Sequence, residues 1–204
     1  DNSAASGFGA ASFNYVGFGL IMADFNRDGF MDFFNGTGHT VEISPRANVY
    51  YEQPDVLLLG DGKGNFAEPD CPLPNKRPSV SRGVAYSDYD NDGDPDIGIQ
   101  RSGRAFSLLR NETEAGSWLG LRLWSETLNS EGVGSIVTLK TSKGVQKRWV
   151  IAGSSYQSSS DVRVLFGFDE ATEIQEVEIQ WQSGKVQQIH QPPLEAYLTV
   201  REPL

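Results

Sequence analysis

In the first half of the chain, short apolar runs flank two acidic loops. The segment Gly19-Leu-Ile-Met-Ala-Asp24-Phe-Asn-Arg-Asp-Gly-Phe-Met-Asp32 aligns without a gap on Gly83-Val-Ala-Tyr-Ser-Asp88-Tyr-Asp-Asn-Asp-Gly-Asp-Pro-Asp96. Each copy reads as a glycine, an apolar strand, an acidic loop and a second apolar strand (Phe33-Phe34, or Ile97 to Ile99). This pattern predicts a β-hairpin whose turn is the acidic loop. A further strand is expected over Asp55–Leu59, ending in the turn Gly60–Gly64, and Phe66 opens another. The counterpart in the second copy is Phe106–Arg110. Units of roughly 60 residues with about four strands each suggest propeller blades, of which a closed propeller needs ~4–8. The chain supplies about two, so a partial β-propeller is expected, with further blades or a protein partner covering the exposed face.

From Glu112 onward the pattern changes. Trp118–Trp124 alternates with period two, and similar runs follow at Ile136–Lys140, Val145–Val150, Val162–Phe166, Val177–Trp181, Val186–Ile189 and Ala196–Val200. Short strands at this density predict a β-sandwich or small barrel, and a helix at Glu170–Glu173 has room for no more than one turn. The expectation is an all-β chain, with blades over 1–111 and a C-terminal β-sandwich over 112–204. The 22 glycines and 10 prolines suit the many turns this requires.

Charge sharpens the picture. The formal net charge of −10 argues against nucleic acid, which demands a basic surface. Acids in the first half crowd into the two loops, where a solvated face would scatter them, and concentrated carboxylates imply a cation between them. Cys71 is the only cysteine, which excludes an internal disulfide and thiolate-rich zinc sites. No apolar run is long enough to span a membrane. The chain opens on Asp1, as expected of a processed product or a piece of a longer protein.

In the second loop Asp88, Asp90 and Asp92 stand at positions 1, 3 and 5, Gly93 at 6 and Asp96 at 9, with the carbonyl of Asp94 at 7. Alternate side chains of a tight loop converge on one centre, and Ca²⁺ takes six to eight oxygens. The first loop repeats the scheme with Asp24, Asn26, Asp28 and Asp32 and the carbonyl of Phe30. Its ligand charge is lower by one, which predicts weaker binding. An EF-hand is excluded, because position 12 is Asn35 or Ile99 and the flanks read as strands. Mg²⁺ is less suited, since it prefers few carboxylates and several waters. The competing reading is an acidic turn without metal.

These loops resemble the FG-GAP and VCBS repeats of integrin-type propellers, and Gly7-Phe8-Gly9 and Gly17-Phe18-Gly19 echo the glycine-rich lead-in of such repeats. The second half resembles the ASPIC/UnbV domain through Trp118–Arg122, Asn129–Gly134, Gly153–Tyr156, Ser160-Asp161, Phe166-Gly167, Val177–Trp181 and Ser183–Lys185. That order is similar to the cartilage acidic protein-like family. The resemblance implies a secreted, extracellular or periplasmic, Ca²⁺-binding protein of adhesion or interaction, with two structural Ca²⁺ ions.

Nothing assembles a catalytic set, so no enzymatic activity is expected. His39 reads as a loop residue, and His190 has no nucleophile near it in sequence. Gly153–Ser160 reads as a hydrophilic loop whose hydroxyls bond nearby backbone. Gly60–Gly64 lacks the spacing of a phosphate-binding loop. The four tryptophans, 118, 124, 149 and 181, read as core; several of them facing outward on one sheet would instead make a glycan-stacking platform. Asn35-Gly-Thr37 and Asn111-Glu-Thr113 match the glycosylation sequon. The alternatives to a Ca²⁺-binding adhesion protein are therefore a carbohydrate-binding module and an accessory subunit of a larger assembly.

Overall fold

The computed structural model describes residues 2–42, 50–70, 73, 77–114, 116–126 and 129–204. Cys71 and Asp1 lie outside these. The chain is all-β, with 43% strand and 3% helix, in several sheets and with no closed barrel among the described residues.

The helical residues are α1, Phe8–Ser12, where the sequence pattern suggested only a glycine-rich lead-in. Gly7 enters it with φ +81°, and the Ser12 hydroxyl donates back to the Phe8 carbonyl at 2.8 Å. Phe8 then packs on Phe33, ring centroids 5.0 Å apart, so the turn caps an apolar surface of the first sheet.

That sheet runs β1 (Gly17–Ala23), β2 (Asp32–Thr37), β3 (Val56–Gly60) and β4 (Phe66–Ala67), each strand pairing antiparallel with the next. The second has three strands, β5 (Ser81–Ser87), β6 (Asp96–Arg101) and β7 (Ser107–Leu109). This sheet holds no fourth strand among the described residues, one fewer than the repeat predicts. Both hairpins form as predicted: Ala23 pairs with Asp32 and Ser87 with Asp96, so each acidic loop closes its own hairpin.

The two sheets share one core of Ile21, Ala23, Phe25, Phe34, Val84, Ile97 and Ile99. Glycine sets their spacing: a Cβ on Gly19 would lie 2.5 Å from Val84 Cγ2 and 2.6 Å from the Arg82 carbonyl. A buried ion pair, Arg101 Nη2 to Asp55 Oδ2 at 3.1 Å, joins the sheets from the side, and Asp55 Oδ1 also accepts the Thr37 amide.

The remaining strands are β8 (Ser117–Trp124), β9 (Ile136–Thr141), β10 (Gly144–Trp149), β11 (Val164–Phe168), β12 (Ile174–Gln180), β13 (Val186–Ile189) and β14 (Tyr197–Arg201). They form one sheet in the order β10-β9-β12-β13 and another in the order β11-β8-β14, with β14 parallel to β8. Alternate residues of β8 (Leu119, Leu121, Leu123) meet Val137, Leu139, Val177 and Ile179 of the facing sheet in a second core. Trp118 and Trp181 are buried as expected, and Trp124 is half-buried. Trp149 is not core: it is 58% exposed at the end of β10, an edge strand with one neighbour. Trp149 is the one exposed tryptophan, so several indoles do not face outward together on one sheet.

Candidate functional site: two acidic hairpin loops

The two loops fold alike because the motif dictates the same backbone bonds twice. At position 1, Asp88 accepts the amides of Asp92 (3.1 Å) and Gly93 (2.9 Å), and Asp24 accepts those of Asp28 (3.1 Å) and Gly29 (2.9 Å). At position 9, Asp96 accepts the Tyr89 amide at 3.1 Å, and Asp32 the Phe25 amide at 2.8 Å. Each position-9 acid spends its other oxygen on a distant amide: Asn111 for Asp96 and Gly60 for Asp32. The glycines at position 6, Gly29 and Gly93, both take φ +92°, in the left-handed region that residues with a Cβ enter at a cost.

The loops differ in what they bring together. In the second, carboxylate oxygens of Asp88, Asp90 and Asp96 lie within 4.8 Å of one another, with Asp88 and Asp96 buried and Asp90 exposed. No second set of three such groups is found among the described residues. The trio takes positions 1, 3 and 9, and the first loop has Asn26 at position 3, so its corresponding trio is two carboxylates and an amide.

The other predicted residues are engaged as follows. Asp92 Oδ1 accepts the Asp94 amide at 3.0 Å, and its other oxygen is 3.9 Å from Arg110. Arg110 holds Asp90 more closely, at 2.9 Å. The Asp94 side chain turns away to Arg27 of the first loop. In that loop Asn26 Nδ2 donates to Asp28 Oδ2 at 2.9 Å, Asp28 Oδ1 accepts the Phe30 amide, and the Phe30 ring is exposed.

Burial makes the carboxylates poor anions when nothing neutralises them. It lifts Asp24 to about 7, with Asp28 and Asp32 adding to the rise and Arg148 opposing it. Asp32 and Asp94 are raised to about 6, burial first in both, with Arg27 opposing the rise at Asp94. Asp96 is raised as well, again by burial. Clustered carboxylates are the donor set a hard cation favours.

Groups from the second half lie against both loops. Arg163 donates to the Asp88 carbonyl and to Asn91 Oδ1, each at 2.6 Å, and the Tyr197 hydroxyl donates to Asp88 Oδ2 at 2.8 Å. Gly93 lies so close to Trp118 that a Cβ there would overlap the indole. Against the first loop, a Cβ on Gly167 would lie 2.5 Å from Arg27 Cα and 2.6 Å from Asp24 Oδ2. None of these partners was visible in the motif, because they lie far along the chain on other strands.

The model of the ASPIC and UnbV family matches residues 125–204. Those residues are an ASPIC/UnbV domain. Arg163 and Tyr197 belong to it, so the domain supplies two of the side chains that touch the second loop. No curated protein matches the chain.

The remaining candidates do not join the acidic loops. His39 Nδ1 sits 3.0 Å from the Val41 carbonyl in a loop, and His190 is exposed. Ser154, Ser158 and Ser159 use their hydroxyls on one another or on nearby backbone, whereas the buried Ser160 hydroxyl also accepts the Tyr86 amide of β5 at 3.2 Å. Of the two sequon asparagines, Asn35 is buried in β2 and Asn111 donates to the Phe25 carbonyl at 2.7 Å.

Proposed function

We propose that the protein is a non-catalytic, secreted Ca²⁺-binding interaction module. In this reading FG-GAP/VCBS-type blades, forming a partial propeller, stand beside a β-sandwich of ASPIC/UnbV type, outside the cell or in the periplasm. The observation that carries it is the convergence of Asp88, Asp90 and Asp96 within the loop Asp88–Asp96. Asp92 and the Asp94 carbonyl would complete the oxygens of this site. Asp24, Asn26, Asp28, Asp32 and the Phe30 carbonyl would hold a second, weaker ion. The ions' role is structural. Each neutralises carboxylates that burial disfavours as anions and cross-links a long hairpin turn, and two would move the formal charge from −10 to −6.

Calcium titration calorimetry on chelator-stripped protein tests the reading. Two sites are expected, the tighter abolished by Asp90→Ala, and absence of any binding heat defeats the proposal. A second reading, an accessory subunit of a larger assembly, is favoured by Phe106 (61% exposed) and Leu108 (49% exposed), apolar side chains at β7. Concentration-dependent oligomerisation, or co-purification with a fixed partner, would support that reading.

A further inference from the structure

We infer that the ASPIC/UnbV domain is a working part of the second loop's cation site, through Tyr197 and Arg163 acting as positioning residues for Asp88. The inference rests on the cation-binding reading above and goes beyond it by making affinity a property of both halves of the chain. Asp88 is buried, and its Oδ2 accepts two hydrogen bonds, from the Gly93 amide and from the Tyr197 hydroxyl at 2.8 Å. Oδ1 accepts one, from the Asp92 amide, and so keeps the larger free lone-pair capacity for a cation. Removing the hydroxyl would leave only the two loop amides to set the carboxylate's rotation about its Cβ–Cγ bond.

Arg163 fixes the same residue through the backbone. Its guanidinium donates to the Asp88 carbonyl and to Asn91 Oδ1, both at 2.6 Å. Asn91 is a non-glycine residue at φ +61°, a conformation that costs energy unless neighbours hold it. Two further contacts hold Arg163 itself. Nε donates to Asp161 Oδ2 at 2.6 Å, and the guanidinium lies 4.1 Å from the centroid of the Tyr197 ring. Trp118 packs on Tyr197 as well, its ring centroid 5.3 Å from that of the tyrosine. In the first loop Asp24 accepts hydrogen bonds only from amides of its own loop, and Arg148, its cationic neighbour from the second half, donates to Lys147 and Gln146 rather than to it. The control is therefore specific to the second loop.

Groups that orient a metal ligand without touching the metal are typically worth about 10- to 100-fold in affinity. The full chain, stripped with chelator, should be titrated with Ca²⁺ as wild type, Tyr197→Phe and Arg163→Lys, alongside melting curves of the metal-free proteins. Both variants should weaken the tighter site by about tenfold or more and leave the weaker site unchanged. Lysine keeps the charge at 163 but loses the planar fork that makes both bonds. If the variants only lower the melting temperature and bind Ca²⁺ like wild type, the positioning role is overturned while the cation reading stands. If wild type itself takes up no Ca²⁺, both fall. Should Tyr197→Phe fail to fold, Arg163→Lys decides alone.

Discussion

Arg27 of the first acidic loop lies with its Nε 3.0 Å from Oδ1 of Asp94 in the second, both side chains almost wholly buried. Neither atom completes a hydrogen bond, so the contact is one of charge, although other bonds hold the arginine: its Nη2 donates to the Thr113 carbonyl. The pair joins two loops that the repeat places 64 residues apart. Arg27→Ala would leave Asp94 buried without its counter-charge. Breaking one side of a buried pair costs about 3–5 kcal/mol, and Asp94, already raised to about 6, would relieve part of that by taking a proton. We expect a loss of about 2–3 kcal/mol at neutral pH in chemical denaturation. Arg27→Met combined with Asp94→Leu should restore most of it, and a loss below about 0.5 kcal/mol for the single variant contradicts the assignment.

Gly29 and Gly93 share φ +92° but not their surroundings. A Cβ on Gly29 meets the Gln146 amide at 2.8 Å, which can shift at the expense of its bond to the Gly167 carbonyl, whereas one on Gly93 runs into the Trp118 indole, packed against Tyr197. Gly29→Ala should cost about 1–2 kcal/mol, the penalty of the left-handed backbone. Gly93→Ala adds overpacking of about 1–3 kcal/mol. Equal melting temperatures for the two variants would show that Trp118 yields freely.

The strands could be read from sequence because their signal is local: β8 alternates from Trp118 to Trp124, and each hairpin is written around its acidic turn. The loops were readable for the same reason, since carboxylates at positions 1, 5 and 9 bond amides of the same turn. What could not be read is pairing at a distance. Nothing near Asp88 announces Tyr197, 109 residues away, and nothing near Asp24 announces Gly167. Trp149 misled for a related reason, because alternation marks a strand without saying that it lies at a sheet edge.

Calcium should stabilise the fold by mass action. An ion that binds only the folded chain at a hundred times its dissociation constant adds about 2.7 kcal/mol. For a chain of this length that is roughly 5–10 °C in melting temperature. Scans in calcium and in chelator should differ by this much, and Asp90→Ala should remove most of the difference. An identical Tm in both buffers would mean that the loops are acidic turns alone.

Without the ion, pH should act in the sense opposite to that of a salt-bridged acid. Burial raises Asp24 from 3.8 to about 7 and Asp32 from 3.8 to about 6, so between these limits the folded chain holds protons that the unfolded chain has released. Stability then falls as pH rises, because the slope follows the protons bound by the unfolded state minus those bound by the folded one. The metal-free protein should therefore lose stability between about pH 4 and pH 7, with the loss complete above the folded values. Asp24→Asn should flatten that slope, since its amide needs no proton to stay neutral. Calcium should flatten or reverse it, because the ion favours the charged carboxylates and competes with protons for them. Denaturant midpoints at pH 5.0 and 7.5, with chelator and with calcium, decide the matter: a metal-free protein more stable at pH 7.5 would show that these carboxylates are already neutralised within the fold.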